Sequence, residues 1–289
     1  MNAQPMRNAL TIDVEDYFQV SAFAPHIARD AWDRLPCRVE RNVDLILALL
    51  AEHGAQATYF VLGWIAERYP HLIRRIAAQG HEIASHGYAH ERATAQSRSE
   101  FRQDVVRAKQ VLEDTTGMPV RGYRAPSFSI GRDNLWALAC LREAGYTYSS
   151  SVYPIHHDHY GMPEAPRFAF YPESGDGLLE LPVTTVRLFN RNLPAGGGGY
   201  FRLLPYNVSR WCLRRVNAVD HQACIFYFHP WEIDPAQPRQ RGIGFKTRFR
   251  HYVNLSAMEG RIRALCSDFL WDRMDRLFLD EERHEPARA

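Results

Sequence analysis

The sequence has no CxxC pair: its five cysteines, Cys37, Cys140, Cys212, Cys224 and Cys266, are odd in number and widely scattered. This argues against a disulfide framework or a thiolate zinc site and suits reduced core thiols. Its longest apolar run, Leu45 to Ala51, is far below the roughly 20 residues that cross a bilayer. The N-terminus, MNAQPMRNALTIDVED, lacks the apolar core of a secretory signal, because Asp13 interrupts the only short run. A cytoplasmic chain with no integral membrane segment is therefore expected. No sign of charge dominates, with 35 Lys and Arg against 33 Asp and Glu and a net charge of +2. With no long basic run or acidic tail, nucleic acid is not an expected partner. Arginines crowd into 238–250 and 261–276, which read as solvated helix faces. There is no internal repeat; low-complexity sequence is limited to Gly196–Gly199, read as a mobile loop, and a polar tail over 276–289, expected to be partly disordered.

What is present is an alternation. The chain has 289 residues, 46% hydrophobic and 24% charged, enough for a large buried core. Strand-like runs at 8–14, 57–62, 82–84, 120–123, 147–152, 178–186 and 223–228 are interleaved with helical patterns. One is the 39–53 stretch, where Val43, Ile46, Leu47 and Leu50 recur at i, i+3, i+4 and i+7. Gly54, Gly80, Gly117 and Gly145 close four helical patterns just before an apolar run, the usual chemistry of a left-handed C-cap. About seven such units predict an α/β fold with parallel βαβ connections, more a barrel, complete or incomplete in closure, than an open sheet.

In a parallel barrel, chemistry collects at the C-terminal ends of strands. Those ends carry Asp13-Val14-Glu15-Asp16, Ser85-His86, Arg124-Ala125-Pro126 and His229-Pro230-Trp231-Glu232. His86 and His90 are four apart, which on a helix would set the imidazoles about 6 Å from each other on one face. Alone, the pair reads more readily as two polar residues on an ordinary helix start. A nearby carboxylate makes it a catalytic metal arrangement, and Asp13–Asp16 is the only acidic cluster at a strand end to match it.

The motifs TIDVEDY, SHGYAHERA, RGYRAPSFSI, YSSSVYP and FHPWEID, in that order over about residues 8 to 235, resemble those of polysaccharide deacetylases with a NodB-homology domain, carbohydrate esterase family 4. The Asp-x-Glu of the first motif and the segment GGGGYFRLLP are more closely similar to the deacetylases of exosortase-associated exopolysaccharide loci. The resemblance implies a distorted (β/α)7 barrel, a single deacetylase domain over 1–275, and hydrolysis of N-acetyl groups on N-acetylhexosamine units of a bacterial polysaccharide or its precursor.

It further implies a divalent metal on Glu15, His86 and His90, with Asp16 as a rival ligand. Asp13 becomes the catalytic base, Arg124 the group orienting it, and His229 the general acid. Ser150, Trp231 and Tyr200 become candidate substrate-groove residues. Zinc is the first choice for two imidazoles and a carboxylate, which also accept cobalt, nickel or iron. Two other readings stand beside this one: an allantoinase-like amidohydrolase acting on small amides, and a catalytically silent carbohydrate-binding barrel. The sequence assigns no oligomeric state.

Overall fold

The computed structural model describes residues 6–158, 160–172 and 177–279. Its centre is a curled sheet of parallel strands: β1 (Arg7–Val14), β2 (Thr58–Val61), β3 (Glu82–Ser85), β4 (Gly122–Tyr123), β5 (Tyr148–Ser149) and β6 (Leu179–Glu180) pair in sequence order. A hairpin follows, β7 (Thr185–Leu188) and β8 (Arg191–Pro194), then β9 (Ile225–Phe228), which returns to pair with β1. β10 (Leu270–Asp272), absent from the sequence expectation, adds a further parallel partner to β1.

The architecture is an α/β barrel of the distorted kind, and the distortion has a local cause. Between β6 and β9 no regular ladder forms among the described residues; instead the feet of the hairpin bridge the gap. Thr184 N–H donates to Ile225 O at 3.2 Å, and Tyr227 N–H donates to Gly196 O at 2.7 Å. Side-chain alternation along each strand divides the core. Leu10, Ile12, Val14, Tyr59, Val61 and Phe226 face the helices, while Ala9, Phe60, Ala84, Tyr148, Leu179 and Ile225 fill the barrel.

The helices α1 (Val39–Glu52), α2 (Gly63–Arg68), α3 (Pro70–Ala78), α4 (Arg98–Thr116) and α5 (Trp136–Glu143) cover the first five strands. On α4 the buried residues are Phe101, Val105, Ala108 and Leu112, the face expected from periodicity, and Ser97 with Glu100 forms a capping box at its start. Gly117 caps it at φ 67°. α6 (Gly198–Leu203), α7 (Tyr206–Arg215), α8 (Phe245–Tyr252), α9 (Leu255–Asp268) and α10 (Met274–Phe278) complete the chain.

Two expectations need correction. Gly196–Gly199 is a packed joint rather than a free loop: a Cβ on Gly197, at φ 112°, would meet Tyr227 O at 2.0 Å, so only glycine lets this segment lie on β9. The polar tail does not begin at 276, since α10 runs to Phe278 with Met274 and Leu277 buried; residues 280–289 lie outside the described residues.

Candidate active site

β1 ends with Asp13 in the strand and Glu15 just beyond it; His86 follows β3, Arg124 follows β4, Ser150 follows β5 and His229 follows β9. Parallel pairing brings these ends to one rim. Glu15, His86 and His90, all buried, each offer a ligand atom within 4.8 Å of the others. His86 Nδ1 donates to Arg124 O at 2.8 Å, which fixes its tautomer and leaves Nε2 free to ligate. His90 Nε2 stands 2.8 Å from Glu15 Oε2, yet off hydrogen-bond geometry, and Oε2 is a buried acceptor without a donor. A buried carboxylate oxygen facing two imidazoles, with no donor of its own, fits a divalent cation.

The histidine pair does not lie on a helix. His86–His90 is a bent loop, with Gly87 at φ 76° and His90 at φ 54°, and α4 starts only at Arg98. The imidazoles converge because the chain turns back, with ring centroids 5.3 Å apart, rather than through helical spacing. Asp104 of α4 holds the turn, its two carboxylate oxygens each accepting from Tyr88 N–H at 3.2 Å.

Arg124 is fully buried and makes four side-chain hydrogen bonds. Its Nη1 donates to Asp13 Oδ1 at 2.6 Å and to Thr11 Oγ1 at 2.8 Å, its Nη2 to Ser150 Oγ at 2.9 Å and its Nε to Ser150 O at 3.2 Å. Asp13 Oδ2 remains turned to the site, 4.0 Å from His229 Nε2. His229 receives its orientation from a residue that sequence reading left without a role: Glu232 Oε2 accepts from His229 N–H at 3.0 Å and lies 3.2 Å from Nδ1. Arg202 Nε donates to the other oxygen of Glu232 at 2.7 Å. The i, i+3 spacing in HPWE was the available signal for Glu232, whereas Arg202 carried none.

The electrostatics follow from burial and neighbours. Burial would raise the Glu15 pKa, but the imidazoles of His90 and His229 outweigh it and hold the carboxyl far below its usual range. For His86 burial dominates and lowers the pKa to about 4. Burial also acts to lower His229, but Glu15, Glu232 and Asp13 together push it up to about 9. These states belong to the metal-free centre.

Several expected site residues sit elsewhere than in a groove. Asp16 turns away: its carboxylate accepts the N–H groups of Tyr17, Arg38 and Val39, the last two at the start of α1. Trp231 is buried, its ring stacked on His229 at 5.2 Å and on His251 at 4.3 Å. Its Nε1 instead donates to Glu15 Oε1 at 3.0 Å. Ser150 is completely buried beneath Arg124. Tyr200 does line a cavity of about 280 Å³, together with His157, Tyr160, Leu203, Phe249 and Arg250.

Comparison with known proteins agrees with this geometry. Residues 30–149 match the model described as polysaccharide deacetylase, and residues 150–279 match a domain of unknown function, DUF3473. A peptidoglycan-N-acetylglucosamine deacetylase of Bacillus cereus is 33% identical over 93 residues, 32% of this chain and 34% of that protein. A chitooligosaccharide deacetylase of Sinorhizobium fredii is 40% identical over 82 residues, 28% of this chain and 38% of that protein. The chain thus spans little more than a third of the length of these two relatives. A solved structure of a candidate polysaccharide deacetylase from Mycobacterium smegmatis has the same fold, with a TM-score of 0.59 at 21% identity over 100% of this chain and 98% of that one. Residues 30–149, which supply the histidine pair and Arg124, are thus similar to the polysaccharide deacetylase family, and the whole chain shares its fold with a solved structure of that description.

Proposed function

We propose that this protein is a metal-dependent N-deacetylase acting on N-acetylhexosamine units of a bacterial polysaccharide or its precursor, an exopolysaccharide first among them. One observation carries the reading: the Glu15, His86 and His90 cluster lies against both Asp13, held by Arg124, and His229, held by Glu232. The relatives named as peptidoglycan and chitooligosaccharide deacetylases support the substrate class. A single functional unit over 1–275 is part of the proposal, supported by a sheet that draws strands from both matched stretches. So is a cytoplasmic site of action, which the free cysteines suit.

Glu15, His86 and His90 would hold the cation, with zinc as first choice. Bound there, it supplies Lewis acidity that polarises the acetyl carbonyl and makes water a nucleophile at neutral pH. Asp13 offers Oδ2 to take the proton of the attacking water, because Oδ1 is committed to Arg124. The full set of Arg124 hydrogen bonds keeps that carboxylate from rotating out of line. His229, with Nδ1 on Glu232, presents Nε2 to the same space and gives its proton to the departing amine nitrogen. Trp231 keeps Glu15 and His229 at fixed separation by bonding one and stacking on the other.

The test is acetate release from chitooligosaccharides and peptidoglycan fragments by zinc- or cobalt-loaded protein, with allantoin as a parallel substrate. Acetate from the N-acetylated sugars is the expected result. Hydrolysis of allantoin alone would shift the reading to a small-amide hydrolase, and no product from any amide with metal bound would leave only a sugar-binding role.

A further inference from the structure

Six of the thirteen large apolar side chains left exposed among the described residues lie on or beside α6, α7 and α8: Leu203, Leu204, Val208, Trp211, Phe245 and Phe249. Phe245 is 83% exposed and Phe249 46%, one turn apart on α8 with ring centroids at 6.4 Å. Leu203 shares a cavity with Phe249 and Tyr200, and Leu204 and Val208 share the next crevice with Tyr200. Trp211, 48% exposed, follows Val208 on α7. Tyr200, which lines both crevices, links Leu203 and Phe249 to Leu204 and Val208, so these apolar residues gather on one face instead of lying singly as is normal on a surface.

This face has a charge partner in its own sequence. Residues 235–258 contain Arg239, Arg241, Lys246, Arg248 and Arg250 and no Asp or Glu. Asp158 pairs with Lys246 at 2.7 Å and with Arg250 at 3.4 Å, while Arg241 and Arg248 are exposed and form no ion pair among the described residues. Of α8 only His251 is buried, so the helix offers both its phenylalanines and its cations outward. Two copies meeting through this face would oppose like charges, which favours a negatively charged occupant. An apolar face rimmed by guanidinium groups matches a bilayer of anionic phospholipid, with rings at the headgroup–acyl boundary and cations at the phosphates. Among the described residues no helix is long and apolar enough to cross a membrane, so such contact would be peripheral.

We propose that the α6–α8 face docks on the surface of an anionic phospholipid bilayer, with Phe245, Phe249 and Leu203 entering the interface and Arg241 and Arg248 on lipid phosphates. α8 leads directly into the candidate site, since the His251 ring stacks on Trp231, but the docking does not depend on the reaction carried out there.

The experiment is co-sedimentation of the full chain with vesicles of equal parts phosphatidylglycerol and phosphatidylcholine, against phosphatidylcholine alone. Binding to the anionic vesicles, weakened at least about tenfold in each of two variants, Phe245→Ser/Phe249→Ser and Arg241→Glu/Arg248→Glu, is the expected result. Raising the salt to about 0.5 M should weaken wild-type binding as well, by screening the cations. Circular dichroism of both variants must match the parent, as expected for exposed positions. No binding to anionic vesicles, or binding that both variants retain, overturns the proposal. So does concentration-dependent self-association, by light scattering, that Phe245→Ser/Phe249→Ser abolishes, since the face would then serve a second copy.

Discussion

The loop after β3, with His86 and His90, and the turn after β9, with His229, face each other across the same site, yet they are held in place by different forces. His86 is positioned by backbone: its N–H donates to Val61 O at 2.9 Å, continuing the β2–β3 ladder, and its ring rests on a main-chain carbonyl. His229 is positioned by buried charge, through Glu232 and then Arg202, which also donates to the carbonyls of Arg250, His251 and Val253. Backbone placement is specified by the ladder whatever the side chains do. Charge placement depends on distant residues, and removing one member strands the other.

The sharpest break in the comparison is chemical. Asp13→Asn should lower acetate release by about 10²–10⁴-fold, the usual worth of a general base, with metal content unchanged by elemental analysis. Glu15→Gln should instead release the metal. Were Asp16→Asn to lose the metal while Glu15→Gln kept it, the ligand assignment would be wrong.

A structural break comes next. Arg202→Met leaves the Glu232 carboxylate buried without its cation and should cost about 3–5 kcal/mol in urea or thermal unfolding.

A third effect lies on β6, whose Glu180 accepts from the backbone just after β5. Glu180 is buried, and burial pushes its pKa up from 4.5 to about 7 despite bonds from the N–H groups of Ser151 and Val152. Between those pH values the unfolded chain loses a proton that the folded chain keeps, so stability should fall as pH rises from 4.5 to about 7. The loss should reach about 3 kcal/mol above that range. Glu180→Gln retains an oxygen for the two N–H groups and should flatten this slope in melts across the range.

The smallest effect sharpens the division of labour within Asp13–Asp16. Asp16→Asn should keep the metal but destabilise the protein by about 1–3 kcal/mol, since the amide cannot accept every N–H now on the carboxylate. Unfolding and metal analysis on one sample would separate the two roles.

Much of this was legible in the amino acids. The glycines at 54, 80, 117 and 145 all take positive φ, because a helix that ends before a strand needs a left-handed residue and glycine adopts it without strain. The inward face of α4 matched its periodicity residue by residue. Other features were not legible, because their causes are far apart in sequence. The hairpin and the packed joint at Gly196–Gly199 bridge the gap between β6 and β9, and β10 adds a partner to β1; these pairings join residues far apart in sequence, and local pattern does not record them. Ser150 was a candidate groove residue through the motif it resembles and Trp231 as an aromatic near a strand end; in three dimensions Trp231 is buried against His229 and His251, and Ser150 lies under a guanidinium.

By itself, the sequence determined the alternation of strands and helices, the turns between them and the set of polar residues delivered to one rim, since these follow from periodicity, capping and the parallel direction of the strands. Only the tertiary structure decided which carboxylate faces the histidines. Asp13, Glu15 and Asp16 are chemically near equals on one short stretch; Arg124 claims the first and the N–H groups opening α1 claim the last. Glu15 alone is left with a buried oxygen that has no donor, and that selection is made by neighbours more than twenty residues away.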